Sequence, residues 1–168
     1  KAVSFITGIA KETREYIFEE QDFMLRVKRQ CAAILCNLTT IRENIERMVE
    51  EGLISAFISL LKIADTETVK HCCSSLCIVA QDEQNSLSIL HEGTLPYMIS
   101  GAKKGDIQTR RSCSAVLSAL CSHSESRHQL LLDEDVLHAL ITSSRIEDAN
   151  TRLRCVIAFA NLSSEPLI

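Results

Sequence analysis

The chain has 168 residues, 46% of them apolar and 24% charged, with a net charge of -4, which is ample material for a folded core and excludes a disordered chain. Five Gly, two Pro and 4% aromatics without Trp leave little turn chemistry for an all-β fold and specify an aliphatic, small-residue core of the kind packed helices tolerate. The acidic balance gives no general attraction to nucleic acid or anionic lipid, and no apolar run reaches membrane-spanning length, the stretch from Leu53 to Leu61 being short and broken by Ser.

In chain order, residues 1 to 26 form a partial or irregular N-terminal repeat. Val3, Phe5, Ile6 and Ile9 fit the close of a helix of the type that follows, but only 21 residues separate Ala10 from Cys31, one helix too few. From Val27 the stretch VKRQCAAILCNL begins a pattern that returns as VKHCCSSLCIVA from Val69, TRRSCSAVLSAL from Thr109 and TRLRCVIAFANL from Thr151. Cys31, Cys73, Cys113 and Cys155 hold the same position in each, at spacings of 42, 40 and 42 residues. A period of that length marks stacked helical units, none of which can bury its apolar face alone.

Two further helices fit between consecutive cysteine helices. Ile41, Ile45, Met48 and Val49 recur at helical spacing up to Gly52, a left-handed stop; the apolar run from Leu53 to Leu61 follows; Asp65 and Thr66 offer a cap. The next unit repeats this with SLSILHEG to Gly93 and then TLPYMISGAKKG, with Pro96 in a first turn. The third reads RHQLLLDED, with Asp135 in the place of the glycine, and then VLHALITSSR. A fourth cysteine helix runs from about Asn150 to Leu162, and the chain reads as a fragment, with no Met at its start and a new helix beginning at its end. Cysteines at a packing position behave as small hydrophobes, which favours reduced thiols and a cytoplasmic setting, cytoskeleton-associated or nuclear as variants.

Residue types that mimic chemistry have plainer readings. His71, Cys72, Cys73 and Cys77 suit zinc by donor type, but they come from one helix and point different ways. His123, Ser124, Glu125 and His128 contain triad residues, but they fall in an inter-helix loop without a nucleophile elbow. No phosphate-binding glycine pattern occurs. The expectation is a non-enzyme with no metal and no cofactor.

What remains is the exposed stripe of the cysteine helix. If Val27, Cys31, Ile34, Leu35 and Leu38 are buried, the opposite stripe carries Arg29, Ala33 and Asn37. The equivalent positions are His71, Arg111 and Leu153, then Ser75, Ala115 and Ile157, then Val79, Ala119 and Asn161. One turn earlier stand Arg26, Thr68, Gln108 and Asn150. A second basic column of Lys28, Lys70, Arg110 and Arg152 is expected to pair with Asp65, Glu67, Asp106, Glu147 and Asp148 in the preceding loops, or to stay solvated.

CAAILCNL from Cys31 and CVIAFANL from Cys155 resemble the third-helix pattern of armadillo repeats, and GTLPYMI from Gly93 is similar to that family's turn into its second helix. The resemblance runs from Val27 to the end and implies an all-α, right-handed superhelix with three helices per repeat. Repeat regions then span 27–66, 67–106 and 107–148, with 149–168 holding a last third helix and the start of another repeat. A HEAT solenoid, with two helices per repeat, is the runner-up; the short first helices and the glycine stop favour armadillo. The resemblance also implies that third helices line a concave groove. The site expected there is Arg26, Arg29, Ala33, Asn37, His71, Ser75, Gln108, Arg111, Ala115, Asn150 and Asn161.

Helices 8 to 10 Å apart would spread four such rungs over roughly 30 Å, room for about nine residues of extended peptide. Asparagine can hold a peptide N–H and C=O together, and arginine a carboxylate, so the expected partner is a protein supplying an extended segment, acidic or phosphorylated, or a helix. The resulting role is a scaffold or adaptor. The alternatives are a structural segment of a cytoskeletal or chaperone-like assembly, self-associating through its solenoid ends, and a ubiquitin-ligase substrate module. A nuclear import cargo receptor ranks last, because the tryptophans that role resembles are replaced by Ala33, Ser75, Ala115 and Ile157.

Overall fold

With so little Gly and Pro, the punctuation of this chain falls to aspartate. Each helix leaves its first backbone N–H groups without an internal acceptor, and a short carboxylate just ahead of the helix can take one. Asp65, Asp82, Asp106 and Asp148 each accept the N–H three residues on, from Thr68, Asn85, Thr109 and Thr151, at 2.7–3.0 Å. The computed structural model describes residues 2–11, 18–62 and 65–164, and every regular element in them is helical. Two compact units, 1–78 and 79–168, are described in turn.

In the first unit α1 (Ala2–Lys11), α2 (Phe18–Thr39), a 3-10 turn (Arg42–Asn44), α3 (Ile45–Glu50), α4 (Leu53–Leu61) and α5 (Thr66–Val79) follow one another, α5 ending at the unit boundary. The core lies around α4, where Leu53, Ile54, Phe57 and Leu60 have no exposed surface. Burying each such side chain contributes about 1.5–3 kcal/mol. The expectation that Val3 to Ile9 close a third-type helix is corrected: α1 packs on α4 and on α2, the place of a second-type helix. The sign of this is present in VSFITGIAK from Val3, which aligns without a gap to LPYMISGAK from Leu95 and sets the buried Ala10 on the buried Ala102.

Ile34, expected inside, is 42% exposed, although its counterparts Leu76, Val116 and Ala158 are buried. Only α1 precedes α2 among the described residues, so one helix fewer is there to cover that face. Val27 and Leu38 are half-buried, while Cys31 and Leu35 are buried as expected.

The second unit contains α6 (Glu83–His91), α7 (Leu95–Lys104), α8 (Ile107–Leu120), α9 (Ser124–Leu131), α10 (Glu134–Ser144) and α11 (Ala149–Ser163). Helices of like type stack: α6 on α9, α7 on α10, α8 on α11. Met98, Ala102, Val116, Leu117, Leu120, Val136 and Leu140 fill the space between them.

Gly52 and Gly93 both adopt φ +86°, the left-handed stops expected after α3 and α6. At Asp135 the expectation fails. That residue lies inside α10, and the turn before it is made by Asp133 at φ -103°, whose carboxylate accepts the Asp135 N–H at 2.9 Å. No left-handed residue is needed where a capping aspartate makes the turn. A methyl group added at Gly93 would meet nothing within 4 Å, so only backbone strain opposes a side chain there. Gly93→Ala is therefore expected to cost about 1 kcal/mol, read as a shift in the urea midpoint at unchanged slope.

The second basic column acts differently from its expected role in the second unit. Arg110 donates from Nε to the Ala102 carbonyl at 3.3 Å and from its terminal nitrogen to the Thr142 carbonyl at 3.0 Å, tying the ends of α7 and α10. Arg152 donates to the Ile146 carbonyl at 2.9 Å. Helix C-termini offer unpaired carbonyls, and a guanidinium whose donors diverge can reach two of them at once. Lys70 does approach an expected acid, Glu67, at 3.8 Å across exposed surface.

Candidate functional site

In the first unit, α2 places Arg26 in the open, paired with Asp22 at 2.8 Å. Arg29, one turn on, is half-buried and turns toward the beginning of α5. Its Nε and terminal nitrogen donate to the two carboxylate oxygens of Asp65 at 3.2 and 2.7 Å. Asp65 is at the same time the cap of α5, accepting both the N–H and the hydroxyl of Thr68. Burial opposes ionisation of Asp65, but Arg29 and Thr68 outweigh it and hold the carboxyl below its ordinary range. Further along, Ala33 and His71 are half-buried and Asn37 is exposed. Ser75 is fully buried and accepts a hydrogen bond from the Thr39 hydroxyl at 3.0 Å, so it presents no surface.

The second unit repeats the device. Arg111 on α8 approaches Asp148, the cap of α11, at 3.4 Å through one terminal nitrogen. The hydroxyl and N–H of Thr151, with smaller help from Arg111, hold the Asp148 carboxyl below its ordinary range. Unlike Arg29, Arg111 keeps a buried Nε with no partner. Gln108 and Asn150 are exposed, Asn161 is half-buried and Ala115 is buried. On α11 the arginine position is taken by Leu153, 58% exposed, with Ile157 44% exposed one turn on.

An arginine on one third helix thus meets the aspartate cap of the following third helix in each unit. Sequence reasoning allows Arg29 and Arg111 to pair with acids within the repeat but does not name them, giving Asp65 and Asp148 to the neighbouring basic column. A signal does exist: Arg29 and Arg111 stand 36 and 37 residues ahead of an Asp that is itself three before a Thr.

In the triad-like cluster, the side-chain contacts of His123 and Ser124 lead away from each other. Ser124, Glu125 and His128 lie within α9 and not in a loop, with His123 just ahead of it. His123 Nε2 sits 2.9 Å from the Ala80 carbonyl, and Ser124 donates to Glu83 at 3.1 Å, so each is engaged elsewhere. Among the described residues no three His, Cys, Asp or Glu converge on a point that could hold a metal ion, His71, Cys72, Cys73 and Cys77 included. No helix among them is long and apolar enough to cross a membrane.

No protein-family model and no curated protein matches the sequence. Solved structures do. A computationally designed armadillo repeat protein for modular peptide recognition superposes with a TM-score of 0.81 at 17% identity, over 95% of this chain and 64% of its own. A second designed armadillo repeat protein, in complex with the peptide (KR)4, gives 0.78 at 16% identity over 96% and 64%. An armadillo-repeats-only protein from Plasmodium falciparum gives 0.72 at 15% identity over 99% and 76%. The chain therefore spans about two thirds of the length of the designed proteins it matches. At such identities the likeness is one of fold.

Proposed function

We propose that this chain, armadillo-like in its all-α fold, is a non-enzymatic protein-binding scaffold whose third helices hold an extended segment of a partner protein. The observation that carries the reading is a set of unspent carboxamides. Asn37, Gln108, Asn150 and Asn161 reach the surface of α2, α8 and α11 with no side-chain hydrogen bond among the described residues. A carboxamide offers a donor and an acceptor together, the pair an extended peptide backbone displays at each residue. The designed armadillo proteins that match the fold, one of them made for peptide recognition and one carrying (KR)4, support the same use.

An acidic segment is the preferred ligand, and Arg111 is the better receiver of its carboxylate. Arg29 already spends two donors on Asp65, whereas Arg111 holds Asp148 through one longer contact. Bidentate guanidinium–carboxylate pairing would use what Arg111 has left.

The test is an array of nonapeptides of acidic, neutral and basic composition, probed with wild type and with Asn37→Ala/Asn161→Ala. Capture of acidic peptides, weakened about tenfold or more in the variant while its unfolding free energy stays within about 0.5 kcal/mol of wild type, as is usual for surface changes, is the expected result. Equal capture by the variant, or capture of no peptide, overturns the reading.

A further inference from the structure

Two contacts between α2 and α5 share one register. Arg29 pairs with Asp65, and Thr39 donates to Ser75 at 3.0 Å, each pair 36 residues apart. Cys36 stands one helical turn before Thr39, and Cys72 one turn before Ser75, in that same register. Two short hydroxyl side chains in contact keep their Cα atoms within about 8 Å, and a disulfide spans Cα separations of roughly 4.4–6.8 Å. The second unit measures the same two positions independently. Ser118 on α8 and Arg154 on α11 occupy the places of Cys36 and Cys72, and the Ser118 hydroxyl donates to the Arg154 backbone carbonyl at 2.9 Å. A γ atom at the first position thus touches the main chain at the second.

Access to the two thiols is unequal. Cys36 is half-buried and Cys72 has no exposed surface, and both are free thiols. Burial pushes the Cys72 thiol far up, and the nearby Cys36 pushes it in the same direction. An oxidant in water meets Cys36 first.

We propose that Cys36 and Cys72 are a redox-sensitive pair that a hydroperoxide closes into a disulfide between the two third helices. With hydrogen peroxide, the Cys36 sulfur attacks one peroxide oxygen and the O–O bond breaks, leaving Cys36 as a sulfenic acid and releasing the other oxygen as water with the Cys36 proton. The Cys72 sulfur then attacks the Cys36 sulfur. The S–O bond breaks, and the departing oxygen leaves as a second water with the Cys72 proton. Two electrons pass from the two thiols to one peroxide. Closure fixes α2 against α5 immediately beside Asn37, so the pair sets the spacing of helices whose open face carries that carboxamide.

The experiment treats the reduced chain with hydrogen peroxide, alkylates the remaining thiols and maps disulfide-linked peptides by mass spectrometry without reduction. The expected product is one intrachain Cys36–Cys72 link, reversed by dithiothreitol, with the other cysteines alkylated. Cys36→Ser is the variant of choice, because serine already stands at the equivalent position in α8, at Ser118. It should form no link and lose free thiol at least tenfold more slowly. A link from Cys36 to another cysteine or another chain, stable sulfinic acid at Cys36, or unchanged thiol loss in Cys36→Ser overturns the proposal.

Discussion

Gly101→Ala is expected to destabilise the chain by about 2 kcal/mol, and the same substitution is expected to become stabilising when Cys113 is first changed to Ala. Two effects of opposite sign meet at this site. Inside a helix alanine is favoured over glycine by about 1 kcal/mol. A methyl on Gly101 of α7 would, however, press into the sulfur of Cys113 on α8, a side chain 1% exposed. Overpacking of this kind costs about 1–3 kcal/mol, and a contact this deep belongs at the upper end. Removing the sulfur leaves the Cys113 Cβ at 3.5 Å and the Thr109 methyl at 3.4 Å, ordinary contacts that let the propensity gain show. A double-mutant cycle in urea reads this as a coupling well above the few tenths expected of independent sites. Additive effects would mean that Cys113 does not set the approach of α7 to α8.

Asp65→Ala is expected to cost about 2 kcal/mol, and Asp65→Asn distinctly less. Alanine removes the cap of α5 and leaves the Thr68 N–H and hydroxyl without their acceptor, a loss of about 1–2 kcal/mol for the cap alone. It also strands Arg29, whose partially solvated pairing adds a smaller share. Asparagine caps nearly as well as aspartate, so it isolates the charge. The pH dependence follows from the lowered folded-state value of Asp65. A depressed carboxyl contributes stability that is full above its unfolded value of about 4 and is lost as pH falls through the folded value. Wild type should therefore lose thermal stability steadily below about pH 4, with Asp65→Asn showing a shallower acid limb. Identical limbs in the two proteins would remove Asp65 from the acid response.

How far the sequence carries this structure depends on the kind of question. The cysteine register locates α2, α5, α8 and α11, because a buried small residue at a fixed helical position is a local property repeated four times. Which helix covers which face is not local. Val3 to Ile9 have the same periodicity whether they pack as a second or a third helix, and only their match to Leu95 onward separates the two. Ile34 has the apolar character of its counterparts, yet it is exposed where only α1 precedes α2 among the described residues. Analogy with glycine puts the turn before α10 at Asp135, while the nearby Asp133 solves it by capping. Among the candidate residues, Asn37, Gln108 and Asn150 do face outward, whereas Ser75 and Ala115 are buried, since burial there is decided by the closeness of the adjacent helix.

For the proposed binding function, the pairing of Arg111 with Asp148 would also set a threshold for recognition. Asp148 is in effect an acidic ligand already in place, held within the same molecule and presented at high local concentration. At the proposed site an incoming carboxylate would share the Arg111 guanidinium with Asp148, so a single acidic residue would gain little. In that reading a segment that also engages Gln108, Asn150 or Asn161 would bind where a lone carboxylate would not. If the proposed groove binds acidic segments, the internal aspartate would act as a filter, favouring partners that match several rungs over stray anions that match one.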